Sequence, residues 1–494
     1  MKLSPFSKLP FICCITMSVC LSACNNDKEQ ADIPINNIEP LVGIWQAPAY
    51  GYTLDMQADT HQFYQFTSES CQKIEFDFDH DELKSSLQLS DDNNSIVNTF
   101  TGAKSPGIVM NKENSLPDLC VNDLVANKGD ANYQFDAQRD FEIFWQTFSQ
   151  YYAFFHIEDV DWNEVFQLAN NQISPQTTEA ELVEILTEMV APLKDFHVQI
   201  GNEDLDIAFS VQRKASLYAI ALLDFISTQQ VELPFGQEQE EAFEIYFENA
   251  EQQSIDAILS HVVMDSEIEV NDNETMFWAT FENNIGYLNV TTMDINEFGD
   301  NDNNVAQNKV ILTETLDQVM QYFADVDGVI IDVRNNDGGD DFVSRMITSR
   351  FIDQSLHVYS KQARLNDSRT PLQQVSIEPQ GSILFLGPVA VMTSASTYSA
   401  AETFAMSMRQ RANTVLIGEA TAGGFSDGLD KSLPHGTTFS LSNEFYLTPD
   451  NEEFEGVGVP VDIEQAFFTL EQREQGIDLG LEKAQAWIIQ RVEH

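Results

Sequence analysis

The sequence is poor in basic residues. Its 494 residues contain 25 Lys and Arg against 79 Asp and Glu, which gives a formal net charge of −54 at pH 7. Proteins that bind nucleic acid need the opposite sign of charge, so we predict no nucleic acid partner. The acidic residues are scattered among 43% hydrophobic residues. This composition predicts a folded chain with an acidic, solvated surface rather than a disordered tail.

Cysteine is also scarce. The chain has 6 cysteines, and only Cys71 and Cys120 lie beyond residue 24. No Cys-x-x-Cys pair or His/Cys cluster suggests zinc, so we predict no metal and no organic cofactor. In an exported chain an even pair of cysteines favours one disulfide, between Cys71 and Cys120. Two buried free thiols are the alternative.

No long apolar run is present, but a short one occupies residues 11–21. Lys2 and Lys8 give the preceding segment a positive charge, and Leu21-Ser-Ala-Cys24 ends the run. This pattern is typical of a bacterial secretory signal with a lipobox, which is a targeting segment and not a membrane span. Its resemblance to lipoprotein signals implies cleavage after residue 23 and lipidation of Cys24. Asn25 follows in place of the aspartate that resembles an inner-membrane retention signal, which favours the outer membrane if the source has two membranes. The alternative is an ordinary signal peptide in which the last cysteine is incidental.

The rest of the chain divides by pattern into successive units. Residues 24–39 are polar and predict a tether. Residues 40–125 carry short alternating runs between turn residues, which predicts a β-rich domain. Aromatic residues at helical spacing predict a helical subdomain over 130–204. Residues 205–275 are less readable, with one short helix expected over 254–263. Apolar strands followed by glycine turns predict an α/β core over 276–490.

Ser399 lies where a strand is expected to turn into a helix. The apolar run 387–392 precedes it and the helical run 403–411 follows it. A serine at such a turn has an exposed hydroxyl and backbone N–H groups without helical partners, which suits a nucleophile of acyl transfer. The same segment, Ser399-x-x-Glu402, is also a capping box, which many helices carry for stability alone.

A pair of glycines supports the first of these interpretations. The buried run 328–332 leads into Gly338-Gly339, and glycines let backbone N–H groups face a ligand without a Cβ in the way. We predict that Gly338 or Gly339 supplies one oxyanion donor and Ala400 the other. Asp332 and Arg334 are expected to pair with each other or with this turn.

The order and spacing of four motifs resemble the serine peptidase family of tail-specific (C-terminal processing) proteases and the tricorn protease core. The resemblance covers about residues 135–490. It rests on Asp332-x-Arg334-x-Asn336-x-Gly338-Gly339, Ser399-Ala-Ala-Glu402, Gly418-Glu-Ala-Thr421-Ala-Gly423 and Glu455-Gly-Val-Gly-Val459-Pro-Val-Asp462. It implies a ClpP/crotonase-like catalytic core and hydrolysis of peptide bonds.

Within this resemblance, one position separates two mechanisms. Tail-specific members carry a dyad lysine where this chain has Gly424, whereas tricorn-like members use Ser, His and Glu. The Leu-x-Asp-x-His motif of the latter appears at 193–197. The resemblance therefore implies Ser399 as nucleophile, His197 as general base and Glu455 as the carboxylate that orients the imidazole. A displaced Ser–Lys dyad using Lys431 is the alternative mechanism.

We therefore predict a lipid-anchored serine peptidase of the bacterial cell envelope that acts on peptides or unfolded proteins. Tail-specific relatives carry a PDZ module between their helical part and the core, but residues 205–275 show no clear Gly-rich carboxylate loop. A catalytically inactive, lipid-anchored binding protein of the same fold is the alternative function. The sequence carries no signal for an oligomeric state.

Overall fold

The structure is a computed structural model that describes residues 39–76, 79–99, 107–210, 217–264, 266–299 and 304–493. The predicted signal peptide (1–23), Cys24 and all but the last residue of the predicted tether lie outside the described residues. Within the described ranges, no helix combines the length and apolar character needed to cross a bilayer.

The strands between residues 43 and 125 form a predominantly antiparallel sheet. Its strands run in the order β5-β6-β7-β1-β2-β3-β4-β8, and only the β4–β8 pair is parallel. A disulfide joins Cys71 to Cys120 at the β4 side of the sheet. The elements are β1 (Gly43–Ala47), β2 (Tyr52–Met56), β3 (His61–Phe66), β4 (Cys71–Ile74), α1 (His80–Ser86), β5 (Leu87–Leu89), β6 (Ser95–Asn98), β7 (Ile108–Glu113), α2 (Asp118–Asn122) and β8 (Leu124–Val125).

A helical segment follows the sheet. Side-chain oxygens of Asp136, Asp161 and Thr178 accept hydrogen bonds from the first backbone N–H groups of its helices, as N-caps do. Phe141, Phe144 and Phe148 are fully buried along one helix, so the aromatic stripe is a core face. The elements are α3 (Ala137–Tyr151), α4 (Trp162–Asn170), α5 (Glu179–Val190), β9 (Gln199–Asn202) and β10 (Ile207–Ser210).

The segment between the helical part and the core contains the helices α6 (Leu217–Gln229) and α7 (Gln237–Leu259), which pack together. The helix expected over 254–263 is thus the end of a much longer one. The reason is that α7 buries a narrow seam that includes Phe243, Phe247 and Ala250, while acidic residues cover its solvated faces. Short seams flanked by charge carry a weak helical signal in the sequence.

A mixed sheet with parallel strands at its centre forms the core. Its strands lie in the order β11 (Glu269–Val270), β12 (Met276–Phe281), β13 (Ile285–Val290), β14 (Gly328–Asp332), β18 (Val389–Thr393), β19 (Thr414–Gly418) and β23 (Ile463–Glu464). Every residue of β14 and β18 is buried, as expected for strands covered on both faces. Val329 and Ile331 pack with α8 (Val305–Tyr322) and α10 (Ala400–Arg409), whereas Ile330 packs with α12 (Leu479–Val492). The predicted mixed α/β fold is therefore confirmed.

The remaining elements of this half complete the core and an adjoining β layer. Strand β15 pairs with β16, β17 and β22, while β9 from the helical segment joins a second sheet in the order β10-β9-β21-β20. The elements are β11 (Glu269–Val270), β12 (Met276–Phe281), β13 (Ile285–Val290), α8 (Val305–Tyr322), β14 (Gly328–Asp332), α9 (Asp341–Thr348), β15 (Leu356–Leu365), β16 (Ser368–Arg369), β17 (Gln373–Ile377), β18 (Val389–Thr393), α10 (Ala400–Arg409), β19 (Thr414–Gly418), β20 (Gly428–Ser432), β21 (Thr438–Ser442), β22 (Glu444–Leu447), β23 (Ile463–Glu464), α11 (Leu470–Gln475) and α12 (Leu479–Val492).

The N-terminal sheet packs on β20–β22 through buried polar contacts. The hydroxyl of Tyr50 donates to Glu444 Oε1 at 2.6 Å, and Lys431 Nζ donates to the carbonyl oxygen of Tyr50 at 2.6 Å. Asn443 Nδ2 donates to the carbonyl oxygen of Ala49 at 3.2 Å. Buried polar groups are costly without partners, so these contacts tie the two parts together.

Candidate active site

His197 is held by the loop that leads into β9. Lys194 adopts a left-handed conformation with a φ of 50°, which turns the chain after α5. The Asp195 carboxylate then accepts the His197 N–H at 3.0 Å, and Ser440 Oγ on β21 donates to the His197 carbonyl oxygen at 2.6 Å. Both backbone groups of His197 are thereby fixed, so its imidazole is presented from a rigid position.

Ser399 lies in the turn between β18 and α10, as the sequence predicts. Its φ of 54° and ψ of −121° are unusual for a residue other than glycine. Such a conformation costs about 1–3 kcal/mol and is found where a turn presents a nucleophile. Ser399 Oγ lies 3.2 Å from His197 Nε2. The structure thus brings together two residues that are 202 positions apart.

The capping interpretation of Ser399 is only half realised. Its N–H donates to Glu402 Oε2 at 3.1 Å, but its side chain makes no capping hydrogen bond to the helix. The hydroxyl faces His197 instead. The glutamate therefore caps the helix and leaves the serine hydroxyl available for chemistry.

The glycine turn lies directly against the serine. A Cβ on Gly338 would be 2.7 Å from Ser399 Cβ and 3.1 Å from the Ala400 nitrogen, so only glycine fits there. The Gly338 N–H donates to Asn336 Oδ1 at 2.9 Å and is already used. Among the described residues, the N–H groups of Gly339 and Ala400 have no acceptor. Of the predicted oxyanion donors, these two are the ones that remain available.

The Gly338–Gly339 turn rests on a buried ionic cluster. Arg334 pairs with Asp332 at 2.6 Å, as expected, and with Asp478 at the start of α12 at 2.8 Å. Asn336 Nδ2 donates to the carbonyl oxygen of Val290, and the Tyr398 N–H donates to the carbonyl oxygen of Asn336 at 3.1 Å. Asp332, Arg334 and Asn336 therefore hold the glycine turn and the loop of Ser399 in place, while Gly339 of the same motif keeps its N–H available.

Glu402 of the motif Ser399-Ala-Ala-Glu402 holds the Gly418–Gly424 segment in place. Its buried carboxylate accepts from Thr421 Oγ1 and from the N–H groups of Gly423 and Gly424, at 2.6, 2.6 and 2.7 Å. Burial raises the pKa of Glu402 to about 7, although these hydrogen bonds act in the opposite direction. The loop that would carry a dyad lysine is thus anchored to the first turn of α10.

Tyr398 holds the second ring nitrogen of His197, and sequence reasoning missed it. Its hydroxyl lies 3.0 Å from His197 Nδ1. Gly424 explains why the ring fits, since a Cβ at that position would be 2.2 Å from Tyr398 Cε2. A lysine at 424 and this placement of Tyr398 exclude each other sterically. Two features of the sequence could have indicated this contact: Tyr398 directly precedes Ser399, and Gly424 stands in place of the dyad lysine.

Glu455 is predicted to orient the imidazole of His197, and the structure places the Tyr398 hydroxyl beside Nδ1. The Glu455 carboxylate accepts hydrogen bonds from the N–H groups of Phe425 and Ser426, at 3.0 and 3.1 Å. Burial, followed by the charges of Asp195 and Glu402, raises the pKa of Glu455 well above its usual range. The backbone N–H groups that follow Gly424 fix this carboxylate on the 425–426 turn.

Lys431, the lysine of the alternative dyad, and His435 are both held by buried structural contacts. Lys431 is buried against the N-terminal sheet, where it lies over the Tyr52 ring at 3.5 Å as well as contacting Tyr50. His435 is fully buried between Asp140 and Thr437, each at 2.7 Å. In the described ranges, no group of three or more His, Cys, Asp or Glu side chains could hold a metal ion.

Comparisons with known proteins point to one family. Residues 284–465 match the model of peptidase family S41. The carboxy-terminal processing protease CtpA of Bacillus subtilis is 26% identical over 186 residues, which are 38% of this chain and 36% of the relative. The match thus spans little more than a third of that curated relative.

Solved structures share the fold over a longer stretch. A crystal structure of a candidate peptidase from Parabacteroides merdae has a TM-score of 0.54 at 22% identity, covering 72% of this chain and 97% of that one. Mature CPAF has a TM-score of 0.51 at 13% identity, with the same coverage. The matched segment 284–465 contains the glycine turn, Ser399 and Glu455. Residues 284–465 are thus similar to peptidase family S41, and the solved structures share the fold over a longer stretch.

Proposed function

We propose that the protein is a serine peptidase with a ClpP/crotonase-like core that hydrolyses peptide bonds through an acyl-enzyme on Ser399. The observation that carries the proposal is the 3.2 Å approach of His197 Nε2 to Ser399 Oγ. A nucleophile and a general base within hydrogen-bond reach are what this chemistry needs. The match of residues 284–465 to a peptidase family supports the same conclusion.

In the proposed reaction, Ser399 Oγ attacks the carbonyl carbon of the scissile bond while His197 Nε2 takes the hydroxyl proton. The N–H groups of Ala400 and Gly339 donate to the oxyanion that forms. The imidazolium then gives its proton to the leaving amine as the C–N bond breaks. Water, deprotonated by the same imidazole, hydrolyses the acyl-enzyme and restores Ser399.

The choice of base follows from the surroundings of the lysines. A Ser–Lys dyad would need an amine close to Ser399, but Gly424 has no side chain and Lys431 donates to a backbone carbonyl of the N-terminal sheet. We therefore propose the histidine-dependent, tricorn-like branch of the family. The role of Glu455 as third member of a triad stays a prediction.

We further propose a lipid anchor at Cys24 in the outer membrane and peptides or unfolded proteins as substrates. The lipobox at 21–24 supports the anchor, and the peptidase relationship supports the substrate class. The catalytically inactive binder is the less favoured function, because a binder has no need for a strained serine next to a histidine and unpaired N–H groups.

A fluorophosphonate probe tests the proposal. The purified protein should be labelled, and Ser399→Ala should abolish both labelling and peptide hydrolysis. Ser396→Ala is the matched control, because Ser396 is a buried serine of the same loop and should leave labelling intact. Absence of labelling in the folded parent protein, or full labelling of the Ser399 variant, would overturn the assignment.

A further inference from the structure

The imidazole of His197 lies between two hydroxyl groups. Ser399 Oγ is 3.2 Å from Nε2 and Tyr398 Oη is 3.0 Å from Nδ1. For Nε2 to accept the serine proton, the proton of the neutral ring must be on Nδ1. The partner of Nδ1 must then accept a hydrogen bond. A phenol oxygen can do so, because it carries lone pairs as well as a proton.

Three packing contacts fix the Tyr398 ring. Phe196 meets it edge to face at a centroid distance of 5.5 Å, and the His197 ring lies 4.9 Å away at a tilt of 37°. The Cα of Gly424 closes the third side, with no room for a Cβ. Tyr398 is 6% exposed, so its hydroxyl has little freedom to turn away from His197. Its backbone is held at the same time by Asn336.

We propose that Tyr398 is a positioning residue of the Ser399–His197 pair, which holds the imidazole in the Nδ1–H tautomer and strengthens its hydrogen bond as the ring becomes charged. The inference rests on the proposed function. It assigns to a neutral phenol the task that a carboxylate performs in a Ser–His–acid triad. Gly424 then contributes to the site, because the absence of a side chain at that position leaves space for the phenol.

Charged groups surround this phenol on the side of one cavity, and the Glu402 carboxylate lies behind it, bound to the Gly424 N–H at 2.7 Å. Tyr398 lines this cavity together with Asp195 and Glu455, and with the ion pair of Lys194 and Glu158 at 2.6 Å. Tyr152 lines the same cavity. Asp195 already accepts the His197 backbone N–H, and Glu455 accepts two backbone N–H groups. These groups set the field at Tyr398, so a test must separate the phenol from the Glu455 carboxylate.

Tyr398→Phe is the main variant, since it removes the hydroxyl and keeps the ring. A hydrogen bond is stronger when its donor is charged, so losing the acceptor should disfavour the imidazolium. We expect kcat to fall at least about tenfold with KM within about twofold, and the acidic limb of the kcat/KM profile to move down by about one pH unit. Tyr151→Phe is the matched control, because that hydroxyl donates to the Phe66 carbonyl far from the site. It should leave the limb in place.

Glu455→Gln tests the competing explanation, in which the Glu455 carboxylate rather than the Tyr398 phenol sets the basicity of His197. If the limb moves in the Glu455 variant and stays in the Tyr398 variant, the carboxylate sets the basicity of His197 and the inference is wrong. A lower plateau without a moved limb in Tyr398→Phe means that the tyrosine only supports the loop, which also overturns it. Should the Phe variant fold poorly, a fluorinated tyrosine at position 398 keeps the shape while weakening the acceptor, and should move the limb in the same direction. An inactive and unlabelled parent protein would instead refute the proposed function.

Discussion

The substitution Gly424→Ala, which adds a single methyl group, should lower turnover strongly by displacing Tyr398. In Gly424→Ala the new Cβ would lie 2.2 Å from Tyr398 Cε2 and 2.7 Å from its hydroxyl oxygen. Carbon atoms in contact prefer about 3.5 Å, so the ring must retreat by about 1.3 Å. A displacement of that size would disrupt the 3.0 Å contact of the Tyr398 hydroxyl with His197 Nδ1.

The cost to stability should be modest and the cost to turnover large. Overpacking of this kind lowers the free energy of unfolding by about 1–3 kcal/mol. Turnover should fall as far as it does in Tyr398→Phe, because both changes remove the same hydrogen bond. The double variant should therefore add little to either single change, as expected for residues that act as a unit.

The assay is a double-mutant cycle on kcat, with unfolding by denaturant measured for each protein. Gly428→Ala is the matched control: it is a nearby glycine whose added Cβ would meet nothing closer than 3.6 Å. This control variant should change neither kcat nor the free energy of unfolding by much. Full turnover in Gly424→Ala, or additive losses in the double variant, would refute the coupling between Gly424 and the tyrosine.

Three further predictions concern other parts of the molecule. The pKa of Glu402 is raised to about 7 in the folded state, so the folded protein holds this proton more tightly than the unfolded chain. The free energy of unfolding should therefore fall by about 3 kcal/mol between pH 4.5 and 7. Glu402→Gln should remove that part of the pH dependence in denaturation curves, and an unchanged pH dependence would contradict the assignment. Lys431→Met should lower the free energy of unfolding by about 1–3 kcal/mol through loss of its buried contact with Tyr50, while the folded fraction keeps its probe labelling; loss of labelling in a fully folded variant would restore a lysine mechanism. Cys24→Ser should move the protein from the membrane to the soluble fraction, and parental fractionation would rule out the lipobox.

The contacts that depend on local sequence could be predicted. Ser399 at a strand-to-helix turn follows from an apolar run, a serine and a helical run. The pairing of Asp332 with Arg334 follows from their spacing at the end of one strand. His197 follows from a five-residue motif, although it lies 202 positions from Ser399. In each case a short segment contains the whole signal.

The features that the sequence did not reveal depend on side-chain packing and hydrogen bonds in the folded chain. The partner of His197 Nδ1 is decided by whether residue 424 leaves room for Tyr398, which no single segment reveals. The exclusion of Gly338 as an oxyanion donor depends on a hydrogen bond to Asn336, two residues away but through a side chain. The length of α7 was missed because its buried seam is narrow and its other faces are acidic.

The contacts of the N-terminal sheet have a consequence for how the chain can be divided. Lys431, Asn443 and Glu444 all belong to the segment 284–465 that matches the peptidase family, yet their buried polar partners are on Ala49 and Tyr50. A fragment that begins at residue 130 would expose an ammonium, an amide and a carboxylate that were satisfied by another part of the chain. We therefore expect such a fragment to be less stable than the full chain, with the N-terminal sheet acting as a partner that satisfies buried polar groups of the peptidase half.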